Sequence, residues 1–247
     1  MILEVCVDSL ASARAAIHGG ADRLELCSAL TLGGLSPCTA LLEQIREESN
    51  IPVRCLIRPR SGDFLYNRDE TDLMVRQIRS LKTAGADGFV IGCLNAYGDL
   101  DIDAINPLID AADGAGLTLH RCIDVSLDPE KTYLDAAHLG IDTILTSGAA
   151  SSCIAGIETI VTLLKLRDLH NGPEVLIGAG VSAANITFLR TALPGARAFH
   201  ASCKELVESN MEFRRADIPM GLPGLDEWHI QQTSQIQVCN LKKSLST

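Results

Sequence analysis

Four segments of the chain repeat one pattern of polar and apolar positions: Gly20 to Cys27 (GADRLELC), Gly85 to Gly92 (GADGFVIG), Gly140 to Ser147 (GIDTILTS) and Gly195 to Ser202 (GARAFHAS). Their first glycines stand 65, 55 and 55 residues apart. Each glycine follows a helix-like stretch and precedes a short apolar run, the order expected of a helix C-cap feeding a buried strand. These segments are predicted as strands 2, 4, 6 and 8. Four further runs, Ile2 to Asp8, Val53 to Arg58, Leu117 to His120 and Val175 to Gly178, lie between them and supply strands 1, 3, 5 and 7. Capping oxygens predict helix starts at Ser36 before Pro37, Asp128 before Pro129 and Ser182 before Ala183.

Eight strand-helix units in four similar quarters favour a single (β/α)8 TIM barrel over an open doubly wound sheet. The length of 247 residues suits such a domain. The barrel core is predicted over residues 1–203. The pattern weakens through Pro219, Gly221, Pro223 and Gly224 and resumes from Ile236 to Ser244, so residues 204–247 are read as an elaborated last unit with a C-terminal helix.

Alternation along a strand assigns faces, because successive side chains point to opposite sides. Leu24, Phe89, Ile144 and Phe199 share one parity with Leu26, Ile91, Thr146 and Ala201, an apolar set predicted to meet the helices. The other parity carries Arg23, Glu25 and Cys27, then Gly88, Val90 and Gly92, then Leu145 and Ser147, then His200 and Ser202. That set is predicted to face the barrel interior. On strand 1 the same rule turns Glu4, Cys6 and Asp8 inward, beside Cys27. Arg58, Arg60, Thr118 and His120 join them, so polar groups converge at the strand C-termini, where barrels carry their sites. Charges buried there need partners or a ligand; Glu25 with Arg58 is the pair expected.

Composition narrows what such a cup serves. A net charge of −10 argues against a nucleic-acid partner. No apolar run reaches the roughly 18 residues of a membrane span, and the first residues lack a signal-peptide pattern, so a cytoplasmic protein is expected. Aromatics are only 4% of residues, which leaves the core to Leu, Ile, Val and Ala. The nine cysteines form no CxxC pair and fit neither a disulfide framework nor a zinc ribbon. Reduced thiols are expected, some of them simple core residues.

At Met1-Ile-Leu-Glu-Val-Cys-Val-Asp-Ser9, Gly19 to Cys27, Gly33-Gly-Leu-Ser-Pro37, Ile57-Arg-Pro-Arg60 and Gly62-Asp-Phe64, the chain resembles the CutC family of copper homeostasis proteins. The likeness continues through His120-Arg121, Asp124, Leu145 to Gly148, Gly178 to Val181 and His200-Ala-Ser202. It implies a (β/α)8 barrel, an intracellular homo-oligomer and a link to copper, with Cys6 and Cys27 matching the pair proposed to hold the metal. Departures from the family pattern are Cys122 and Ile123 in place of Ala-Phe, Ser61 in place of Gly, and Cys38 and Cys203 in place of smaller residues.

Two functions stand open at this point. Cu(I), a soft ion, is served by two thiolates aimed at one point, here Cys6 and Cys27. An enzyme acting on an anionic or phosphorylated small molecule would instead use Arg58 and Arg60 as a clamp and Glu25 or His120 for proton transfer. Ser147 and the loops at Gly180 and His200 would then supply further contacts, in the manner of barrel phosphate sites.

Overall fold

The repeated segments and the runs between them form a closed barrel of eight parallel strands, each hydrogen-bonded to the next in chain order. This computed structural model describes residues 1–215, 217, 218, 224 and 226–246. The strands are β1 (Ile2–Val7), β2 (Arg23–Leu26), β3 (Val53–Leu56), β4 (Gly88–Ile91), β5 (Gly116–Leu119), β6 (Thr143–Thr146), β7 (Glu174–Ile177) and β8 (Ala198–Ala201). Outside them run α1 (Leu10–Gly19), α2 (Thr39–Glu48), α3 (Arg68–Thr83), α4 (Ile102–Ala112), α5 (Pro129–His138), α6 (Ile157–His170) and α7 (Ile186–Ala192). Every predicted strand ends one or two residues beyond the observed one, because the chain leaves the sheet at the rim to enter the site loops.

The two side-chain parities separate as expected. Leu24, Phe89, Ile144 and Phe199 belong to the large apolar layer between sheet and helices. Inside the barrel, Cys6, Cys27, Leu56 and Val90 form one small cluster and Leu145, Leu176 and Ala198 another. Below these the interior is plugged by Arg54, whose guanidinium donates to Thr118 at 2.6 Å and Thr143 at 3.2 Å and pairs with Asp142 at 2.8 Å. Gly88 and Gly116 leave room for it: a Cβ on Gly116 would lie 2.6 Å from Arg54 Nη2.

Of the three predicted helix starts, Asp128 caps α5 by accepting from the N–H groups of Glu130 and Lys131, each at 3.0 Å. The other two are corrected. The Ser36 hydroxyl accepts from Arg58 N–H at 2.8 Å, so it ties the loops after β2 and β3 together while α2 starts after Cys38. Ser182 lies four residues before α7, which follows Asn185.

The segment after β8 contains what the sequence pattern left unread. Lys204–Glu208 (β9) and His229–Thr233 (β10) pair as an antiparallel hairpin, and Gln235–Ser246 (α8) follows. Pro219, Gly221 and Pro223 lie outside the described residues. Helix α8 packs on α1, supplying the eighth helix of the ring, with Val238 and Leu241 fully buried. The contact is close at Gly19, where an added Cβ would lie 2.5 Å from Val238 Cβ and 2.9 Å from the Gln235 carbonyl. Gly19→Ala is therefore expected to destabilise the fold by about 1–3 kcal/mol, although alanine favours helices. Denaturant titration of Gly19→Ala against the wild type checks this.

Candidate functional site

The strand register sets the chemistry of the barrel mouth. On β1, Glu4 stands level with Arg23 of β2 on one side and with His200 of β8 on the other, and one step higher Cys6 faces Glu25. Neighbouring strands lie about 4.8 Å apart, so inward side chains at matched positions touch. The fully buried Glu4 carboxylate accepts from Arg23 Nε through Oε2 and from His200 Nδ1 through Oε1, the latter at 2.8 Å. Burial works against its charge, but His200 and Arg23 together outweigh that and hold its pKa down at about 2. His200 shows the complementary change. Burial opposes its protonation, yet Cys6, Glu25 and Glu4 around it raise its pKa well above the ordinary value.

The other ring nitrogen, His200 Nε2, lies 3.8 Å from Glu25 Oε2. Glu25 titrates above the ordinary carboxylate range, chiefly because it is buried. Cys27 is sealed behind it, with no exposure and a thiol that donates to Glu25 Oε2 at 3.4 Å. Burial, reinforced by the Glu25 charge, pushes the Cys27 pKa far up. Cys6 keeps 7% exposure and lines the cavity directly, with its sulfur 3.8 Å from the Ala201 carbonyl. Cys6, Glu25 and His200 offer a sulfur, an oxygen and a nitrogen all within 4.8 Å of one another. Two of the three are ligand types that copper accepts readily, and the thiol is the softest. The donor set fits a soft metal ion.

The opposite wall comes from the loops after β3 and β5. Arg58 is buried and donates to the backbone carbonyls of Leu32, Gly34 and Gly62 at 3.2, 3.1 and 2.8 Å, while its Nε has no partner among the described residues. Its guanidinium lies 5.2 Å from the centre of the Phe64 ring, and Phe64 in turn packs at 4.7 Å on His120. His120 Nδ1 accepts from Cys122 N–H at 3.1 Å, which leaves the proton of the neutral ring on Nε2, a buried donor without a partner among the described residues. Burial, then the Arg58 charge, lowers the His120 pKa to about 3. Gly92 makes this packing possible, since a Cβ there would lie 2.4 Å from His120 Cε1.

Between the two walls is a cavity of about 680 Å³, floored by Leu56 and Leu145 and roofed by the β9–β10 hairpin through Leu206 and Ile230. Cys6, Glu25, Arg58, His120 and His200 all line it. Four residues expected beside them do not: Cys27, sealed behind Glu25, and Arg60, Ser147 and Gly180. Arg60 turns outward to Glu70, Asp63 and the face of Tyr66, because β3 has ended at Leu56 and the alternation rule no longer applies four residues on. Ser147 belongs to a cradle around Asp124, whose carboxylate accepts from Ser147 N–H and Oγ, Ala149 N–H, Thr146 Oγ1 and Arg121 Nε. The protein's own carboxylate thus occupies the donors of the β6 loop. Gly180 lies away from the cavity, its carbonyl accepting from Asn185 Nδ2 at 2.8 Å. The expected Glu25–Arg58 pair does not form either: Glu25 faces His200 and Cys27, and Arg58 is taken up by carbonyls.

The remaining cysteines are free thiols. Cys122 is fully buried behind His120, Cys38 is exposed at the start of α2, and Cys203 is buried where β8 passes into the hairpin. Sequence reasoning turned Glu4 and Arg23 inward without drawing them together. Their shared register with His200 was the available signal. The hairpin's period-two alternation over residues 204–208 and 229–233 was another.

A (β/α)8 barrel with a buried thiol, imidazole and carboxylate cluster at the C-terminal ends of its strands is the class these features define. The chain belongs to the CutC family, whose model matches residues 1–205. A CutC family protein of Xanthomonas campestris pv. campestris is 46% identical over 204 residues, covering 83% of this chain and 84% of its own. Another from Chromobacterium violaceum is 40% identical over 245 residues, covering 99% and 98%. The crystal structure of CutC from Streptococcus agalactiae matches with a TM-score of 0.77 at 28% identity, over 82% of this chain and 98% of that one. Phosphoribosyl anthranilate isomerase from Thermococcus kodakaraensis, at 13% identity and a TM-score of 0.54 over 99% and 98% of the two chains, shares the fold alone. Among the described residues no helix is long and apolar enough to cross a membrane.

The His120 environment has a measurable consequence for stability. The unfolded chain takes up a proton near 6.5 while the folded ring stays neutral down to about 3, so between those values the unfolded state binds more protons. Stability should fall as pH drops through this window, by at most about 5 kcal/mol from this residue. His120→Leu should remove that part of the slope, read from denaturation midpoints collected across the window.

Proposed function

We propose that the cup takes Cu(I) as cargo, with Cys6 as the principal ligand and Cys27 as the second sulfur. The observation that carries this reading is the convergence of Cys6, Glu25 and His200 ligand atoms within 4.8 Å, at the thiol that lines the cavity. Family membership supports it, since the Streptococcus agalactiae relative is named for copper homeostasis. Cu(I) needs few ligands and prefers thiolate sulfur, so one accessible cysteine backed by a second suffices. Cys27 has to release a proton to join, which makes metal capture proton-coupled at that residue. Cu(I) titration against a competing chelator tests the assignment. Cys6→Ser should abolish the tight site, and Glu25→Gln, at the carboxylate that Cys27 contacts, should weaken it about 10- to 100-fold. Wild-type affinity in both Cys6→Ser and Cys27→Ser overturns it.

A second reading, an enzyme site for a small anionic molecule, is favoured by the opposite wall. Arg58 presents a buried positive charge whose hydrogen bonds go only to carbonyls, and His120 presents an unpartnered N–H in the same cavity. Neither feature serves a soft cation. An anion that seats there stabilises the fold by about 2.7 kcal/mol at a hundred times its dissociation constant. Inorganic phosphate and small carboxylates should therefore raise the melting temperature of the wild type and of Cys6→Ser alike. The shift should vanish in His120→Leu, and its absence from the wild type overturns this reading.

A further inference from the structure

We infer that the cavity binds a small carboxylic acid with an apolar body, its carboxylate on the Arg58 and His120 wall and its hydrocarbon part beneath Leu206. This inference rests on the small-molecule reading of the cavity and names the ligand class, a carboxylate in preference to a phosphate.

Charge supplies the first argument. Arg121, His200 and His229 line the cavity, and each is held by a carboxylate of the protein, Asp124 at 2.7 Å, Glu4 at 2.8 Å and Asp226 at 2.5 Å. Arg58, with only 8% exposure, has no carboxylate partner among the described residues, and its hydrogen bonds end on the neutral carbonyls of Leu32, Gly34 and Gly62. Of the acids in the same lining, Asp8 accepts from Leu30 N–H, Glu25 faces His200 and Asp226 faces His229. One buried positive charge without a counterion calls for one negative charge. A monocarboxylate supplies it, whereas a phosphate dianion brings a second charge into a lining that already holds these acids.

The donors supply the second argument. Barrel phosphate sites collect several N–H groups from the last loops. Here Ser147 N–H and Ala149 N–H are spent on Asp124, and Gly178, Ala179 and Gly180 are absent from the lining. The Arg58 wall offers instead two single N–H groups, Arg58 Nε and His120 Nε2, both buried and without a partner among the described residues. Their side chains belong to one stack, with the Phe64 ring 5.2 Å from the guanidinium and 4.7 Å from the imidazole. Two single donors match the few acceptor oxygens of a carboxylic acid. The four oxygens of a phosphate would go largely unpaired there, each at a desolvation cost.

The remaining surface defines the body of the ligand. Leu30, Leu56, Phe64 and Leu145 line the cavity, and Leu206 on β9 faces them from the roof with 64% exposure. An apolar side chain held in water opposite an apolar floor leaves that water only when something apolar fills the space between. The volume of about 680 Å³ is that of a small-molecule site.

Calorimetric titration of the full chain with acetate, butanoate, hexanoate and inorganic phosphate tests the inference. Affinity should rise about threefold to fourfold per added methylene. A flat series overturns the apolar body. Phosphate and the uncharged hexanamide should each bind at least about tenfold more weakly than hexanoate. Hexanamide binding as tightly as hexanoate overturns carboxylate recognition. Phosphate binding as tightly as hexanoate overturns the ligand class and leaves the anion reading standing, whereas no binding by any of the anions overturns both. In the wild type labelled with 15N-histidine, hexanoate should shift the Nε2 resonance of His120, and a shift confined to His200 overturns the placement. Leu206→Asn, on an exposed strand, should weaken hexanoate about threefold to tenfold and leave acetate unchanged. Unchanged hexanoate affinity in that variant overturns the part assigned to the roof.

Discussion

The Glu4 carboxylate, buried without exposure to solvent, is held ionised by Arg23 on one neighbouring strand and His200 on the other. An ion in that position carries a desolvation cost of several kcal/mol, and a structure keeps it only when the partners outweigh that cost. Here they do, since the carboxyl is driven down to about 2. In a parallel barrel these three residues meet only if β8, β1 and β2 keep their register, and a slip of one residue would turn Glu4 into the apolar layer beneath the helices. The ion cluster therefore selects the closure of the barrel, where the last strand meets the first, as well as serving the cup above it.

That closure divides the cup. On the β8–β1–β2 side, charge is paired, the imidazole is fixed, and two thiols stand at different depths, one lining the cavity and one sealed behind Glu25. On the β3–β5 side, Arg58, Phe64 and His120 stack as cation, ring and neutral ring, with nitrogen atoms left over. The hairpin that follows β8 starts beside Cys203, whose carbonyl accepts from Ser234 N–H at 2.8 Å. It roofs both sides at once. A ligand in the cavity thus meets a soft, acid-base wall and a positively charged, hydrogen-bond-donating wall under one lid.

Much of this was legible in the sequence, and the limits have physical causes. The glycine-led echoes located β2, β4, β6 and β8 because a helix end and a buried strand each leave a local signature. Parity placed Glu25, Cys6, Cys27 and His200 correctly for the same reason. Parity stopped working where strands stopped: Arg60, Ser147 and Gly180 lie in rim loops whose directions are set by contacts with Glu70, Asp124 and Asn185, all distant from the period-two rule. Charge partners were the least legible feature. Glu25 and Arg58 were natural partners by sign, but the register gave Glu25 a histidine, and the loop after β2 offered Arg58 the carbonyls of Leu32 and Gly34.

The fixed imidazole constrains whatever the cup holds. With Nδ1 tied to Glu4, His200 cannot rotate to suit a ligand, so an occupant at Cys6 must fit beside the ring as the backbone presents it. The far wall has a different chemistry: Arg58 carries a buried charge and His120 a buried N–H, both suited to an oxygen ligand rather than to a cation. A site specialised for copper alone would have no use for a buried guanidinium, so the cost of burying Arg58 is the feature that a metal-only account leaves unexplained.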